Sequence, residues 1–121
     1  MTRPHEEIEH LFSYGTLQNE QVQLNIFGRI LKGTPDTLLG HRMIMSATVD
    51  EEFVRKTGAV HHRNLQLTGI DSDTVEGTVL IVTPNELEQA DTYEPTDYRR
   101  MLVQLKSGLT AWVYVSISYD T

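Results

Sequence analysis

Val75 to Arg100 reads VEGTVLIVTPNELEQADTYEPTDYRR, and three changes of pattern within it decide the fold. The first half of VEGTVLIV alternates, whereas Val79 to Val82 is apolar on both faces, as in a strand near the centre of a sheet. Thr83-Pro84-Asn85-Glu86 is then a capping box. The threonine hydroxyl accepts from the third helical N–H, the glutamate reaches back, and proline suits the first helical position because its missing N–H would have no partner there. The pattern predicts a helix from Pro84, with Leu87 and Ala90 as a narrow apolar stripe. Pro95 disfavours helical geometry at Glu94 and stops the helix after about three turns. A strand from Tyr98 to Lys106 follows.

Downstream, Ser107-Gly108 signals a two-residue hairpin leading into a last strand, Leu109 to Ile117. There Ala111, Val113, Val115 and Ile117 share one face and Trp112 and Tyr114 the other. Upstream, His10 to Tyr14 is rich in β-formers and ends at Gly15, so it reads as the first strand. After a turn at Gly15-Thr16-Leu17, the residues Leu24, Phe27 and Leu31 recur at helical spacing until Gly33 and Pro35 close the segment. Thr37 to Val49 reads as a strand or hairpin interrupted at Gly40, and Glu51 to Asn64 as a covering loop. Asn64 to Ile70 alternates modestly and Asp71-Ser72-Asp73 is a turn; the residues before Glu9 are expected to fray. This order is neither βαβ alternation nor all-β. It predicts an α+β fold around a curved or closed sheet, in a single domain over residues 1–121.

Seventeen acidic against ten basic residues give a formal charge of −7, and no window gathers lysine and arginine. Nucleic acid and anionic membranes are therefore disfavoured as partners. No run of 18 apolar residues exists and MTRPHEEIEH has no apolar signal core, so a soluble cytoplasmic protein is expected. Zero cysteines exclude a disulfide frame, a thiolate nucleophile and a zinc ribbon. His61 and His62 are adjacent, and neighbours on a strand point to opposite faces, so no metal site is expected.

The chemistry-bearing residues gather after the Pro84 helix. Glu94 lies just past its end, and Tyr98 and Arg100 share a strand face, an arrangement that can hold a carboxylate beside a phenol and a guanidinium. The competing reading makes Glu94 a solvated loop acid and Arg100 its surface ion-pair partner, worth about 0–1 kcal/mol. The Gly15-Thr16-Leu17 turn leaves backbone N–H groups at a helix N-terminus, which suits a carboxylate or phosphate, although a plain strand-to-helix connection gives the same pattern.

Several blocks, in order, carry a resemblance. Phe12-Ser13-Tyr14-Gly15-Thr16-Leu17 resembles the YGTL or YGSL opening of the γ-glutamylcyclotransferase-like (AIG2-like) family. Val75-Glu76-Gly77-Thr78-Val79 is similar to its V-x-G-E-V strand, Asp91-Thr92-Tyr93-Glu94 to its LD-x-x-E, Tyr98-Arg99-Arg100 to its Y-x-R, and Ala111-Trp112-Val113-Tyr114 to its A-x-V-Y. Pro95 stands where the family has glycine, Thr78 and Leu80 where it has glutamate and tyrosine, and Ala90 where it has leucine.

The resemblance implies a small mixed β-barrel flanked by short helices and an enzyme that cyclises a γ-glutamyl amine or peptide to 5-oxoproline, releasing the free amine without a cofactor. It assigns Glu94 as the catalytic acid and base, and the backbone of Tyr14, Gly15, Thr16 and Leu17 as the cradle of the glutamyl head group. Tyr98 and Tyr114 become pocket walls, and Arg100 is either a pocket residue or half of a structural ion pair. A glutamate has a reference pKa of about 4.3, which burial would raise toward a useful range for a base. The partner is then a small γ-glutamyl molecule, and the protein a monomer or homodimer. A non-catalytic module sensing a small amine or carboxylate would use the same pocket, and an adaptor would instead show a large exposed apolar patch.

Overall fold

The chain runs β1 (Glu9–Ser13), a 3-10 turn (Thr16–Gln18), α1 (Glu20–Phe27), β2 (Gly33–Leu39), β3 (His41–Ala47), β4 (His61–Leu67), β5 (Thr74–Val82), α2 (Pro84–Tyr93), β6 (Tyr98–Gln104) and β7 (Thr110–Ser116) in a computed structural model. It describes residues 7–47, 55, 61–94 and 98–116, with the side chains of 45–47, 61–63 and 116 outside that set. Five strands form one sheet in the order β2-β5-β1-β7-β6, and β3 and β4 form a separate ribbon. The expected stop at Pro95, the frayed residues 1–6 and the side chains of His61 and His62 lie outside the described residues.

The apolar run of β5 follows from its place between β2 and β1. Val75 and Val79 enter one core with Phe12, Tyr14, Leu38, Leu65 and Val113. Leu80 and Val82 enter a second, on the opposite face, with Leu11, Leu17, Leu31, Leu87, Ala90 and Tyr114. Both faces are covered, so each large apolar side chain contributes its full burial, about 1.5–3 kcal/mol. Gly77 is required by close approach: a Cβ there would stand 2.5 Å from the Ser13 carbonyl oxygen and 2.7 Å from the Phe12 ring.

The capping box of α2 forms in both directions, Glu86 N–H to Thr83 Oγ1 at 3.1 Å and Thr83 N–H to Glu86 Oε1 at 2.9 Å. Leu87 and Ala90 are its buried stripe, as the sequence predicts. Of the expected stripe, Leu31 is buried in the second core and Phe27 packs against it, but Leu24 is not buried. Leu24 is 42% exposed whereas Gln23 is 2% exposed. Gln23 Nε2 donates to the Leu17 carbonyl at 2.8 Å and Oε1 accepts from Leu31 N–H at 2.8 Å, tying the 3-10 turn to the segment after the helix. The helix ends at Gly28, left-handed at φ 75°, so Gly33 and Pro35 belong to β2 instead.

Gly40 does interrupt the strands, but β2 and β3 do not make a hairpin with each other. β2 pairs with β5 and β3 with β4, Gly40 being the point where the chain leaves the main sheet. Its N–H donates to Asp73 O at 2.9 Å and its carbonyl accepts from Thr68 and Gly69 N–H, pinning the departure to the return. His61 to Asn64, read from sequence as the end of a covering loop, open β4; apart from Arg55, residues 51–60 lie outside the described set. The β6–β7 connection is also longer than expected. It has five residues, Leu105 to Leu109, with Leu105 N–H donating to Leu109 O at 2.8 Å around Lys106 to Gly108 and Gly108 at φ 95°.

The expected barrel is likewise corrected: the sheet is mixed and curled but not closed, with β2 and β6 as its edges. One backbone hydrogen bond, Lys106 N–H to Thr37 O at 2.8 Å, links the hairpin tip to β2. Pro35 has no N–H to give on that edge, and Thr37 N–H is taken by Asp36 Oδ1 at 2.7 Å, so a ladder cannot propagate.

Candidate functional site

The sole parallel pairing in the described sheet is β1 with β7, through Leu11 and Trp112, so both strands run toward the same end. Tyr14 therefore emerges beside Tyr114, and its hydroxyl donates to the Tyr114 carbonyl at 2.5 Å. α2 packs across the helical face and its C-cap is Glu94, whose N–H closes the last turn on Ala90 O at 3.1 Å and whose φ −67°, ψ 152° is the extended geometry favoured before proline. Glu94 is 7% exposed. Its carboxylate and the segment Phe12 to Leu17, together with Tyr114, line a cavity of about 20 Å³. Of the residues singled out in the sequence, Tyr14, Gly15, Thr16, Leu17, Glu94 and Tyr114 thus meet at one point.

The charge of Glu94 is felt by three phenols. Burial holds the Tyr14 hydroxyl well above the usual phenol range, with Tyr98 and Glu94 adding to the shift. Burial raises Tyr114 too, followed by the hydrogen bond to Asp91 and the charges of Asp91 and Glu94, with Arg100 opposing. Tyr93 is raised by burial, its hydrogen bond with Thr16 opposing and Glu94 adding. All three stay protonated across the neutral range, with the Tyr14 proton given to the Tyr114 carbonyl and the Tyr114 proton to Asp91.

Arg100 does not pair with Glu94. It grips Asp91 with two hydrogen bonds, Nε to Oδ1 at 2.6 Å and Nη2 to Oδ2 at 2.9 Å, and lies 4.6 Å from the Trp112 ring centroid. The solvated-acid reading of Glu94 with Arg100 as its surface partner is therefore corrected on both counts. Tyr98 and Arg100 line a neighbouring groove of about 320 Å³ with Asp91 and Trp112, and Tyr114 is the wall between that groove and the Glu94 cavity. Asp91 Oδ1 also accepts from the Tyr114 hydroxyl at 2.6 Å, so one carboxylate anchors both an arginine and a wall of the cavity.

The Gly15 turn also differs from expectation. It opens a three-residue 3-10 turn with no side-chain cap, whereas the α-helix starts later, at Glu20, where Asn19 Oδ1 takes the N–H groups of Gln21 and Val22. Gly15 N–H donates to Ser13 Oγ at 3.3 Å. Asp91, Tyr93 and Ser13 were without roles in the sequence reading. Helical periodicity held the signal for Asp91, since residues three apart share a helix face and Asp91 precedes Glu94 by three.

A family described as Gamma-glutamyl cyclotransferase, AIG2-like matches residues 11–120. No curated protein sequence matches the chain. Among solved structures, the Arabidopsis thaliana protein At3g28950.1 superposes with a TM-score of 0.74 at 21% identity, covering 100% of this chain and 69% of that one. The uncharacterized Homo sapiens protein loc79017 gives 0.68 at 17%, covering 92% and 68%. A structure described as gamma-glutamyl cyclotransferase gives 0.68 at 17%, covering 91% and 67%. These likenesses share the fold, and the match from residue 11 to residue 120 places the chain in the gamma-glutamyl cyclotransferase, AIG2-like family.

Proposed function

We propose that this chain is a cytoplasmic, single-domain cyclotransferase that converts a γ-glutamyl amine or peptide to 5-oxoproline and the free amine, with Glu94 carrying the protons. The observation that supports this most is the buried Glu94 carboxylate in one cavity with the Tyr14–Leu17 segment and Tyr114. In the reaction the substrate α-nitrogen attacks its own γ-carbonyl carbon, closing a five-membered lactam, and the bond from that carbon to the departing nitrogen breaks. Two protons leave the attacking ammonium and two arrive on the departing nitrogen. An α-ammonium has a reference pKa near ~8 and cannot attack until a base takes its proton; Glu94 takes it and returns a proton to the leaving amine.

Ring closure within one molecule already has an effective molarity on the order of 10⁵ M or more once the chain is held folded, so orientation and one proton carrier suffice without a cofactor. The backbone N–H groups of Thr16 and Leu17 are the donors for the glutamyl head group; the Gly15 N–H and the Tyr14 and Tyr114 hydroxyls join them only by turning from Ser13 Oγ, the Tyr114 carbonyl and Asp91. The cavity has room for about one water, so the head group enters by parting Thr16 from Tyr93, whose 3.0 Å hydrogen bond is exposed and contributes roughly 1 kcal/mol. Arg100 and Tyr98 act from outside the cavity, through Asp91 and Tyr114.

The test is 5-oxoproline release from a panel of γ-glutamyl amines and dipeptides. Release by the wild type is the expected result. A folded protein that releases none from any member of the panel contradicts the reading and leaves a binding module.

A further inference from the structure

The Thr16 and Leu17 N–H groups belong to peptides whose carbonyl ends are fastened. A trans peptide points its N–H opposite to its C=O, so whatever holds the Gly15 carbonyl sets the direction of the Thr16 N–H. Gln18 holds that carbonyl twice, from its backbone N–H at 3.2 Å and its side-chain Nε2 at 3.3 Å. The Thr16 carbonyl, and with it the Leu17 N–H, is held by Asn19 N–H at 2.9 Å.

The Gln18 amide is itself oriented from outside the turn. Thr78 Oγ1, on β5, donates to Gln18 Oε1 at 2.9 Å. A carbonyl oxygen only accepts, so the amide presents its NH2 end to Gly15 and its oxygen to Thr78, and the hydroxyl must donate. The neighbouring strand keeps the hydroxyl on that side. A Cβ on Gly33 would stand 2.6 Å from Thr78 Cγ2, so the methyl fills the space that the glycine leaves, and χ1 of a β-branched residue is stiff. Thr78 stands where the family has glutamate. A carboxylate only accepts; it would draw the NH2 end and turn Oε1 against the Gly15 carbonyl.

We propose that Gln18 and Thr78 are positioning residues that aim the Thr16 N–H at the carboxylate of the bound head group, the Thr78 hydroxyl setting the aim through the Gln18 amide. The inference rests on the cyclotransferase reading for what the bound molecule becomes, not for its binding. A contact that stays the same from bound substrate to transition state acts on KM. Thr78→Val should therefore raise KM for γ-glutamyl-n-butylamide about tenfold and leave kcat within about twofold. Thr78→Ser, which keeps the donor, should recover most of that loss. Gln18→Leu should match Thr78→Val, and the two together should be no worse than either alone, because the hydroxyl acts only through the amide. Thr78→Glu should also bind weakly, and adding Gln18→Lys should restore binding, since an ammonium donates to both the carboxylate and the Gly15 carbonyl.

Binding is read separately on Glu94→Gln, by calorimetric titration with the butylamide beside thermal unfolding. The expected Kd is about tenfold weaker when Thr78→Val is added and close to the parent value with Thr78→Ser. That pattern without turnover by the wild type ends only the cyclotransferase reading. Turnover by the wild type with equal Kd and KM across the parent, Thr78→Val and Gln18→Leu, or a loss confined to Tm or to kcat, overturns the positioning role and leaves the cyclotransferase reading standing. Neither turnover nor binding overturns both.

Discussion

The two ends of α2 each bury a carboxylate, Glu86 at 8% and Glu94 at 7% exposure, and they are built in opposite ways. Glu86 sits in the first turn, where the helix dipole favours negative charge. It accepts the Thr83 N–H and two hydrogen bonds from Arg29, Nε at 2.7 Å and Nη2 at 2.8 Å. The Arg29 guanidinium holds its carboxyl below the usual carboxylate range, burial opposing and the Thr83 contacts adding. Glu94 sits at the C-terminal end, against the negative pole of the dipole, where its charge raises the phenols of Tyr14, Tyr93 and Tyr114, while Arg100 is taken by Asp91. Equal burial therefore does not mean equal chemistry. A carboxylate wrapped in a cation and backbone donors fastens the helix; the one at the cavity wall is the group to which the proposed reaction gives the protons.

Substitutions at the two ends should separate these roles. The largest effect belongs to Glu94→Gln, which keeps the shape of the side chain and should lower 5-oxoproline formation by about 10²-fold or more, the range of general acid–base catalysis. Thermal unfolding should change little beside that loss. Asp91→Asn comes next: it weakens the hold on Arg100 and on the Tyr114 hydroxyl, so kcat/KM should fall about tenfold through misplacement of the cavity wall, with a stability cost near ~1 kcal/mol. A fall in stability with no fall in kcat/KM would make Asp91 purely a fastener.

Glu86→Ala should do the reverse of Glu94→Gln. Loss of the capping box and the Arg29 contacts should cost about 1–2 kcal/mol in denaturant unfolding, with turnover at saturating substrate retained. The smallest effect is its pH dependence. A carboxyl whose folded pKa is depressed adds stability above its unfolded value of about 4.3 and loses it as pH falls through the folded value. The stability gap between wild type and Glu86→Ala should therefore narrow as pH drops below about 4, and a gap that widened would mean that Arg29 does not hold the charge.

What the sequence made legible was local. The α2 cap reads directly from Thr83 to Glu86 because each partner of the box is within three residues of the other. The stop of β1 ahead of Gly15, at Ser13 and so one residue earlier than expected, and the central position of β5 were also visible, from a turn residue and from an apolar run. Long-range pairings were not: β1 meets β7 across about a hundred residues, and no periodicity encodes that Leu11 should lie beside Trp112. Gln23 escaped because an amide is buried only when both its ends find backbone partners, here Leu17 and Leu31, and the helical pattern favoured Leu24. The open sheet depends on details equally hidden, a proline and an aspartate side chain on one edge. At the site, the resemblance brought Glu94 and the Tyr14–Leu17 segment together, whereas the capture of Arg100 by Asp91 joins a helix to a strand and left no spacing signal.

The most direct measurement is 5-oxoproline formation from γ-glutamyl-n-butylamide by wild type, Glu94→Gln and Glu86→Ala in one assay near neutral pH. The proton-carrier role of Glu94 predicts product from the wild type and Glu86→Ala and a loss of about 10²-fold or more for Glu94→Gln. Product from Glu94→Gln at the wild-type rate would contradict it.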